Sequence, residues 1–411
     1  MELTDDTAAR MSDEERLLRD ALGADLVGSL RVLSREPSGH GALTGFEEAG
    51  ATPRYWYVDT SGKRVEVETG LVLGDPAHPE ARIWLHPADP WLPALAPASF
   101  PDAAATLMAR MGVAIDRRPE LLVYRPCKRA MFRMRAGDRD TYLKIVRPAS
   151  SAAIVQLQES LRAGGVPVPP ITGWSELGIV LTETADGVPL TSRLDALDPE
   201  RLLDSIEALR ERMGGVDTGR DARHSLASRT PWYLDRMRAA LDRAGAAGDD
   251  ASAVRAALAT LERALDATDA SAVDDAERRT VHGDLHVGQL FVAEDDASRI
   301  SGVIDIDTAG LGDPADDEAA LLGHLVASIA LARAHAERAA GFRRLLDAGV
   351  ARWLAPSRPS RARVAHRTAV HVLAHALAPT ERGDLETAAV ELALGAEILG
   401  RSEMPSVAPR T

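Results

Sequence analysis

At 411 residues the chain is long enough for two or three domains, and 45% hydrophobic and 27% charged residues are proportions of an ordinary globular protein. A formal charge of −14 argues against a nucleic-acid binder working through a basic surface, and the single cysteine, Cys127, excludes an internal disulfide framework and suits a reducing compartment.

The first twenty residues are acidic and carry no apolar core, so they do not read as a signal peptide. The apolar helical stretch 321–336 is interrupted by His324 and Arg333 and is too short and polar to span a bilayer. A cytoplasmic protein with no membrane partner is the expectation. Residues 13–22 read as a helix capped by Ser12. "LVGSLRVLSR" then reads as a strand, and "PRYWYVDTSGKRVEVETG" as a hairpin turning at "DTSGKR". Residues 86–101 are proline-punctuated and read as an extended connector, followed by a helix over about 102–113.

From residue 121, "LLVYRPCKRAMFRMRAGDRDTYLKIVRP" reads as three antiparallel strands with tight turns. A helix with Ile154, Leu157 and Leu161 on one stripe comes next, then strands in "VPVPPITGW" and "LGIVLTETADG". Past residue 190 the pattern is helical except at 280–307, where "TVHG" and "QLFVA" read as short strands with a polar turn and "ISGVIDIDTAG" as a strand entering a loop. The fold class expected is α+β and bilobal. Residues 1–118 form an N-terminal cap or extension, 119–186 a β-rich nucleotide-binding lobe, and 187–411 a helical lobe with the acceptor pocket.

Of 48 basic residues only Lys63, Lys128 and Lys144 are lysines. Lys144, flanked by Leu143 and Ile145 in a strand, is a candidate phosphate ligand, a compact charge where a guanidinium fork would not fit. The plain alternative is a lysine on the wet face of an edge strand. In "VHGDLHVGQLF" (281–291) and "GVIDIDTAGLGDPADD", Asp284 precedes Gln289 by five residues and Asp305 by 21. Phosphoryl transfer to an alcohol needs a carboxylate for the hydroxyl proton and oxygen ligands for Mg²⁺. Asp284 offers the first, Gln289 and Asp305 the second.

On these motifs the chain resembles the aminoglycoside phosphotransferase superfamily, the small-molecule branch of the protein-kinase-like fold, over residues 121–186 and 280–325. The His two residues after the Asp, and Gln in place of the usual Asn, are similar to the maltokinase-like and sugar-kinase members. The resemblance implies ATP and Mg²⁺ as cofactors, Asp284 as catalytic base, Gln289 and Asp305 as metal ligands, and Lys144 on the α/β-phosphates. It implies that the backbone of Thr182, Glu183 and Thr184 meets the adenine and that the turn carrying Arg125 and Lys128 arches over the phosphates. The acceptor would be a hydroxyl of a sugar, aminoglycoside or similar polyol, held by helices over 190–275 and 320–400; nucleic acid is not a partner.

The family's lysine pairs with a helix glutamate, but the corresponding positions, near Val155 and Gln156, are not acidic; Glu159 faces away and Gln158 lies on the inner stripe. That motivates a rival reading, a nucleotide-binding pseudokinase with a regulatory or scaffolding role. A second rival is a metal-dependent hydrolase using His282, Asp284 and His286. His282 otherwise reads as a packing residue, and His286 as a substrate contact or a brace of the turn. Asp307 reads as a second-layer residue or cap, Asp317 as a brace of the catalytic loop, and Asp313 and Asp316 as solvated. His371 and His375, at i and i+4, offer half a zinc site but read as a plain helix face. Cys127 reads as a small residue filling a turn, and Glu381, Asp384 and Glu386 as acids that would favour a cationic acceptor or simply as surface charge.

Overall fold

The computed structural model describes residues 11–23, 28–65, 67–137, 139–243, 249–267 and 277–403. Parts of the expected elements (26–27, Glu66, Asp138, 244–248 and 268–276) lie outside the described residues. The chain divides into two compact units, one of residues 1–155 with 171–184, the other of 156–170 with 185–411.

The first unit begins with helix α1 (Asp13–Leu22), whose N-cap Ser12 accepts the Glu15 N–H at 3.1 Å. Five strands follow, β1 (Leu30–Ser38), β2 (Gly41–Glu48), β3 (Arg54–Asp59), β4 (Leu71–Asp75) and β5 (His78–Leu85), in the order β1-β2-β3-β5-β4. The expected hairpin inside 53–70 does not form. The edge of β3 is taken by β5, with Trp56 opposite Leu85 and Asp59 opposite Arg82. Arg82 then holds the loop, donating to Glu68 at 2.9 Å and to the Lys63 carbonyl. The connector 86–101 contains a short helix, α2 (Leu95–Ser99), and α3 (Pro101–Arg110) follows with proline in its first turn.

A second antiparallel sheet comprises β6 (Glu120–Arg125), β7 (Arg129–Ala136), β8 (Arg139–Val146), β9 (Ile171–Ser175) and β10 (Ile179–Glu183), in the order β6-β7-β8-β10-β9. Between β8 and β9 runs α4 (Pro148–Ala163). One face of this sheet (Ala130, Phe132, Leu143, Ile145, Leu181) packs on Leu92, Leu95 and Met108 of the α2–α3 region. The two sheets meet through Tyr57, Trp84, Cys127 and Tyr124. Asp89, buried between them, accepts from the Trp91 N–H (2.8 Å), the Cys127 N–H (2.8 Å) and the Tyr124 hydroxyl (2.9 Å). The N-terminal sheet thereby fixes the β6–β7 turn.

The second unit holds α5 (Pro199–Gly214), α6 (Thr230–Arg243), α7 (Asp249–Ala267), α8 (Ala315–Leu331), α9 (Ala336–Trp353), α10 (Arg361–Arg382) and α11 (Leu385–Glu403). Capping sets several ends: Asp198 takes the Glu200 and Arg201 N–H groups, and α10 stops at Gly383 with φ +80°. The short strands are β11 (Val188–Pro189), β12 (Arg279–Val281), β13 (Leu290–Val292), β14 (Ile300–Val303) and β15 (Gly310–Gly312). "TVHG" and "QLFVA" do not pair with each other. β12 pairs β15, and β13 pairs β11 and β14, because the chain between β12 and β13 tightens into a 3₁₀ turn over Val287–Gln289. The core is one apolar cluster of helix and strand side chains, including Leu285, Leu290, Leu322 and Trp353. Among the described residues no helix is long and apolar enough to cross a membrane.

Candidate active site

Lys144 lies on β8, an interior strand between β7 and β10, opposite Met131 and Val180. Leu143 and Ile145 point to the apolar core, so alternation puts Lys144 on the other face, and it is 9% exposed. It is not a wet-edge lysine. A buried ammonium is costly unless a partner compensates it, which is where a lysine in this chain is informative. At the end of β10 Thr182 lies opposite Tyr142 and Glu183 opposite Thr141, while the Thr184 hydroxyl donates to the Asp140 carbonyl at 3.0 Å. Arg125 is exposed. Lys128, also exposed, pairs with Glu36 at 2.7 Å. Cys127 adopts φ +60° and is buried, and burial pushes its thiol up, so the thiolate its basic neighbours would favour does not form. Gln158 does not answer to the missing helix glutamate: its amide N–H donates to the Pro169 carbonyl at 2.6 Å.

The loop 282–289 is built around a glycine and a brace. Gly283 sits at φ +79°, where a Cβ would come 2.7 Å from the Thr308 carbonyl oxygen. Asp317, in the first turn of α8, accepts the backbone N–H groups of His282 (2.9 Å) and Gly283 (2.8 Å). His282 is fully buried, its Nε2 3.1 Å from the Ile304 carbonyl. Asp284 then emerges half-buried. Arg223 grips both its oxygens, at 3.0 and 3.3 Å, and His324 Nε2 stands 3.6 Å from Oδ1. Burial alone would raise the Asp284 pKa, but His324 and the Arg223 guanidinium outweigh it and hold the carboxyl far below its usual range. Asp284 is therefore ionised at neutral pH.

His286 caps the 3₁₀ turn through Nδ1, which accepts the Gly288 N–H, while Gln289 Oε1 accepts the His286 N–H at 3.1 Å. The Ile304 N–H donates to the Gln289 carbonyl, extending the β13–β14 pairing and setting Gln289 and Asp305 at the same end of it. Asp305 adopts φ +60°, a left-handed conformation costing roughly 1–3 kcal/mol at a residue other than glycine and concentrated at functional sites. It and Asp307 are half-buried. A carboxylate with an amide oxygen that keeps a second lone pair suits a hard cation such as Mg²⁺.

Several sequence expectations need correction. The set His282, Asp284, His286 does not assemble as a metal site, because the His282 ring is buried and turned to Ile304. Among the described residues, the group with metal-ligand spacing is instead His324 of α8 with His371 and His375 of α10. Asp313 and Asp316 are not solvated: Arg367 on α10 pairs with both at 2.8 Å, and Ser225 donates to Asp316 at 2.6 Å. Glu381 pairs with Arg236, Glu386 with Arg333, and Asp384 accepts the Thr387 N–H at the start of α11. Arg223 and His324 were not singled out in sequence as partners of Asp284. Arg223 is 61 residues away and reaches Asp284 because its N–H donates to Thr308 and residues 220–222 run beside β15.

A β-rich lobe with a buried strand lysine, and a helical lobe with an H-G-D loop beside a strand that ends in I-D, define a protein-kinase-like fold of the small-molecule branch. The profile described as "Phosphotransferase enzyme family" matches residues 128–354, more than half of the chain, and the chain belongs to that family. It is a phosphotransferase, a small-molecule kinase. Among solved structures it is similar to a thermostable mutant of aminoglycoside phosphotransferase APH(4)-Ia in its apo form (18% identity, 73% of this chain and 99% of that one, TM-score 0.46). It is also similar to macrolide 2'-phosphotransferase type I (21%, 71% and 95%, 0.41) and to ADP-bound aminoglycoside phosphotransferase APH(2'')-Ib (14%, 72% and 99%, 0.44). No curated protein matches the sequence. The shares covered leave part of this chain without a counterpart in those structures.

Proposed function

We propose that the protein transfers the γ-phosphoryl group of ATP to a hydroxyl of a neutral or anionic small molecule, a sugar or similar polyol, with Asp284 receiving the hydroxyl hydrogen bond. The observation that carries this reading is the setting of Asp284: ionised, on a braced loop, and met by Arg223 and His324, with the His286 ring stacked 4.2 Å from His324. A polycationic aminoglycoside would need carboxylates at that wall. The acids that would have favoured it, Glu381, Asp384 and Glu386, are already engaged. A strongly acidic carboxyl is a weak base. Phosphoryl transfer passes through a loose transition state, however, so orienting the hydroxyl matters more than base strength.

In this reading Lys144 meets the phosphates and the backbone of Thr182, Glu183 and Thr184 the adenine, with Arg125 and Lys128 on the turn over the phosphates. Gln289 and Asp305 would hold Mg²⁺ with Asp307 behind them, while Asp317 braces the catalytic loop through the His282 and Gly283 N–H groups. The ion would neutralise charge on the phosphates. Residues 1–118 act as cap or extension, 119–186 as nucleotide-binding lobe and 187–411 as catalytic and acceptor lobe, in a cytoplasmic protein. The loop "HGDLHVGQ" favours the maltokinase-like and sugar-kinase members as functional analogues.

The test is ADP release with Mg-ATP against a panel of neutral sugars, sugar acids, polyols, macrolides and aminoglycosides. Turnover with a neutral or anionic hydroxyl compound is the expected result. Turnover with aminoglycosides alone would overturn the charge argument, and no nucleotide binding at all would overturn the ATP assignment.

A further inference from the structure

We infer that His324, His371 and His375 form a binding site for a divalent transition-metal ion of the zinc class, separate from the Mg²⁺ position drawn at Gln289 and Asp305. His371 and His375 stand one turn apart on α10, and His324 comes from α8. The two helices approach closely beside His324, because Gly323 has no side chain: a Cβ there would come 2.4 Å from the His371 Cβ. One ligand atom from each ring then lies within 4.8 Å of the others. Tetrahedral zinc with Zn–N of about 2.0–2.1 Å needs its nitrogens about 3.4 Å apart, a contraction within reach of side-chain rotation.

The rings converge at an angle rather than stack. His324 and His375 are 4.3 Å apart at 71°, His324 and His371 6.3 Å apart at 48°. Among the described residues, neither His371 nor His375 makes a hydrogen bond or ion pair through its ring, although His371 is buried. Burial, reinforced by His324, pushes both down to about 3, so their nitrogen lone pairs are free at neutral pH, as a metal requires. An all-imidazole set selects zinc, copper, nickel or cobalt over magnesium and calcium. The nearby charges are Asp284, 3.6 Å from His324, and Arg223, already paired to Asp284. Metal at this site would draw His324 away from Asp284.

The test uses tag-free, metal-stripped, full-length protein titrated with Co²⁺ in the absence of nucleotide, so its failure leaves the phosphotransfer reading untouched. The expected result is one equivalent bound with strong visible ligand-field bands, displaced by Zn²⁺ and unaffected by excess Mg²⁺. The His375→Gln and His324→Gln variants, both at half-buried positions, should lose affinity by at least about 100-fold, the upper end of what even an outer-layer partner of a metal ligand contributes. On the wild-type Co²⁺ form, proton NMR should show three paramagnetically shifted, exchangeable imidazole N–H signals. Absence of the bands, displacement by Mg²⁺, fewer than three shifted imidazole signals, or affinity unchanged in either variant would each overturn the site.

Discussion

Arg223 grips both carboxylate oxygens of Asp284 across 61 residues of sequence, at 3.0 and 3.3 Å. Asp284→Asn keeps the shape but cannot accept the proton, so kcat should fall by about 10²–10⁴ while nucleotide binding persists. Arg223→Gln removes a charge that lowers the Asp284 pKa. The acid limb of its kcat–pH profile should therefore move to higher pH than in the wild type. Coincident acid limbs would remove Arg223 from the control of Asp284.

Lys144→Ala should cost on the order of 10²–10³ in kcat, with a smaller loss of nucleotide affinity, since a donor aimed at developing charge acts mainly in the transition state. Lys144→Arg should fail as well: the site is buried on an interior strand, and a longer planar fork displaces whatever the ammonium holds. Single-turnover kinetics alongside calorimetric nucleotide binding separates the two effects. Activity restored by arginine would contradict the reading of lysine scarcity.

Gln289→Asn should act twice. The shorter amide no longer reaches the His286 N–H, which costs about 1 kcal/mol as a lost cap and lowers Tm. It should also weaken the Mg²⁺ dependence of ATP binding, with partial rescue by the larger Mn²⁺. Asp305→Ala should be the more severe for metal dependence, because it removes a full charge at a backbone position of φ +60°. Calorimetry of ATP binding with and without Mg²⁺ decides: two unchanged dependences would place the metal elsewhere.

Glu391, buried on α11, is pushed up to about 7 by burial, with Asp384 adding repulsion. A carboxyl whose folded pKa exceeds its unfolded value near 4.5 contributes stability in full below 4.5 and loses it as pH rises through 7. At about 1.4 kcal/mol per pK unit the loss approaches about 3 kcal/mol. Glu391→Gln should therefore be more stable than wild type at pH 8, with the gap closing by pH 5, as read by denaturant melts at the two pH values.

The order of strands and helices between residues 121 and 183 was legible in the sequence because it is written in local periodicity: alternation in 121–146, a 3.6-residue stripe at Ile154, Leu157 and Leu161, and turn residues between. The H-G-D loop was legible too, since Gly283 must take a positive φ and its neighbours are contiguous. The hairpin at 53–70 was misread because pairing is a competition among edges, and β5, not the adjacent segment, supplied the better partner to β3. Asp313 and Asp316 looked solvated because Arg367, which neutralises them, lies some fifty residues further on. The same holds for Arg223 on Asp284, and for His324, which turns an i, i+4 pair of histidines into a convergent trio. Local sequence determines which groups can ionise, turn or cap. Which charges and lone pairs face one another is decided by helix packing and strand pairing between segments far apart in the chain, and one sequence carries no periodic signal for that.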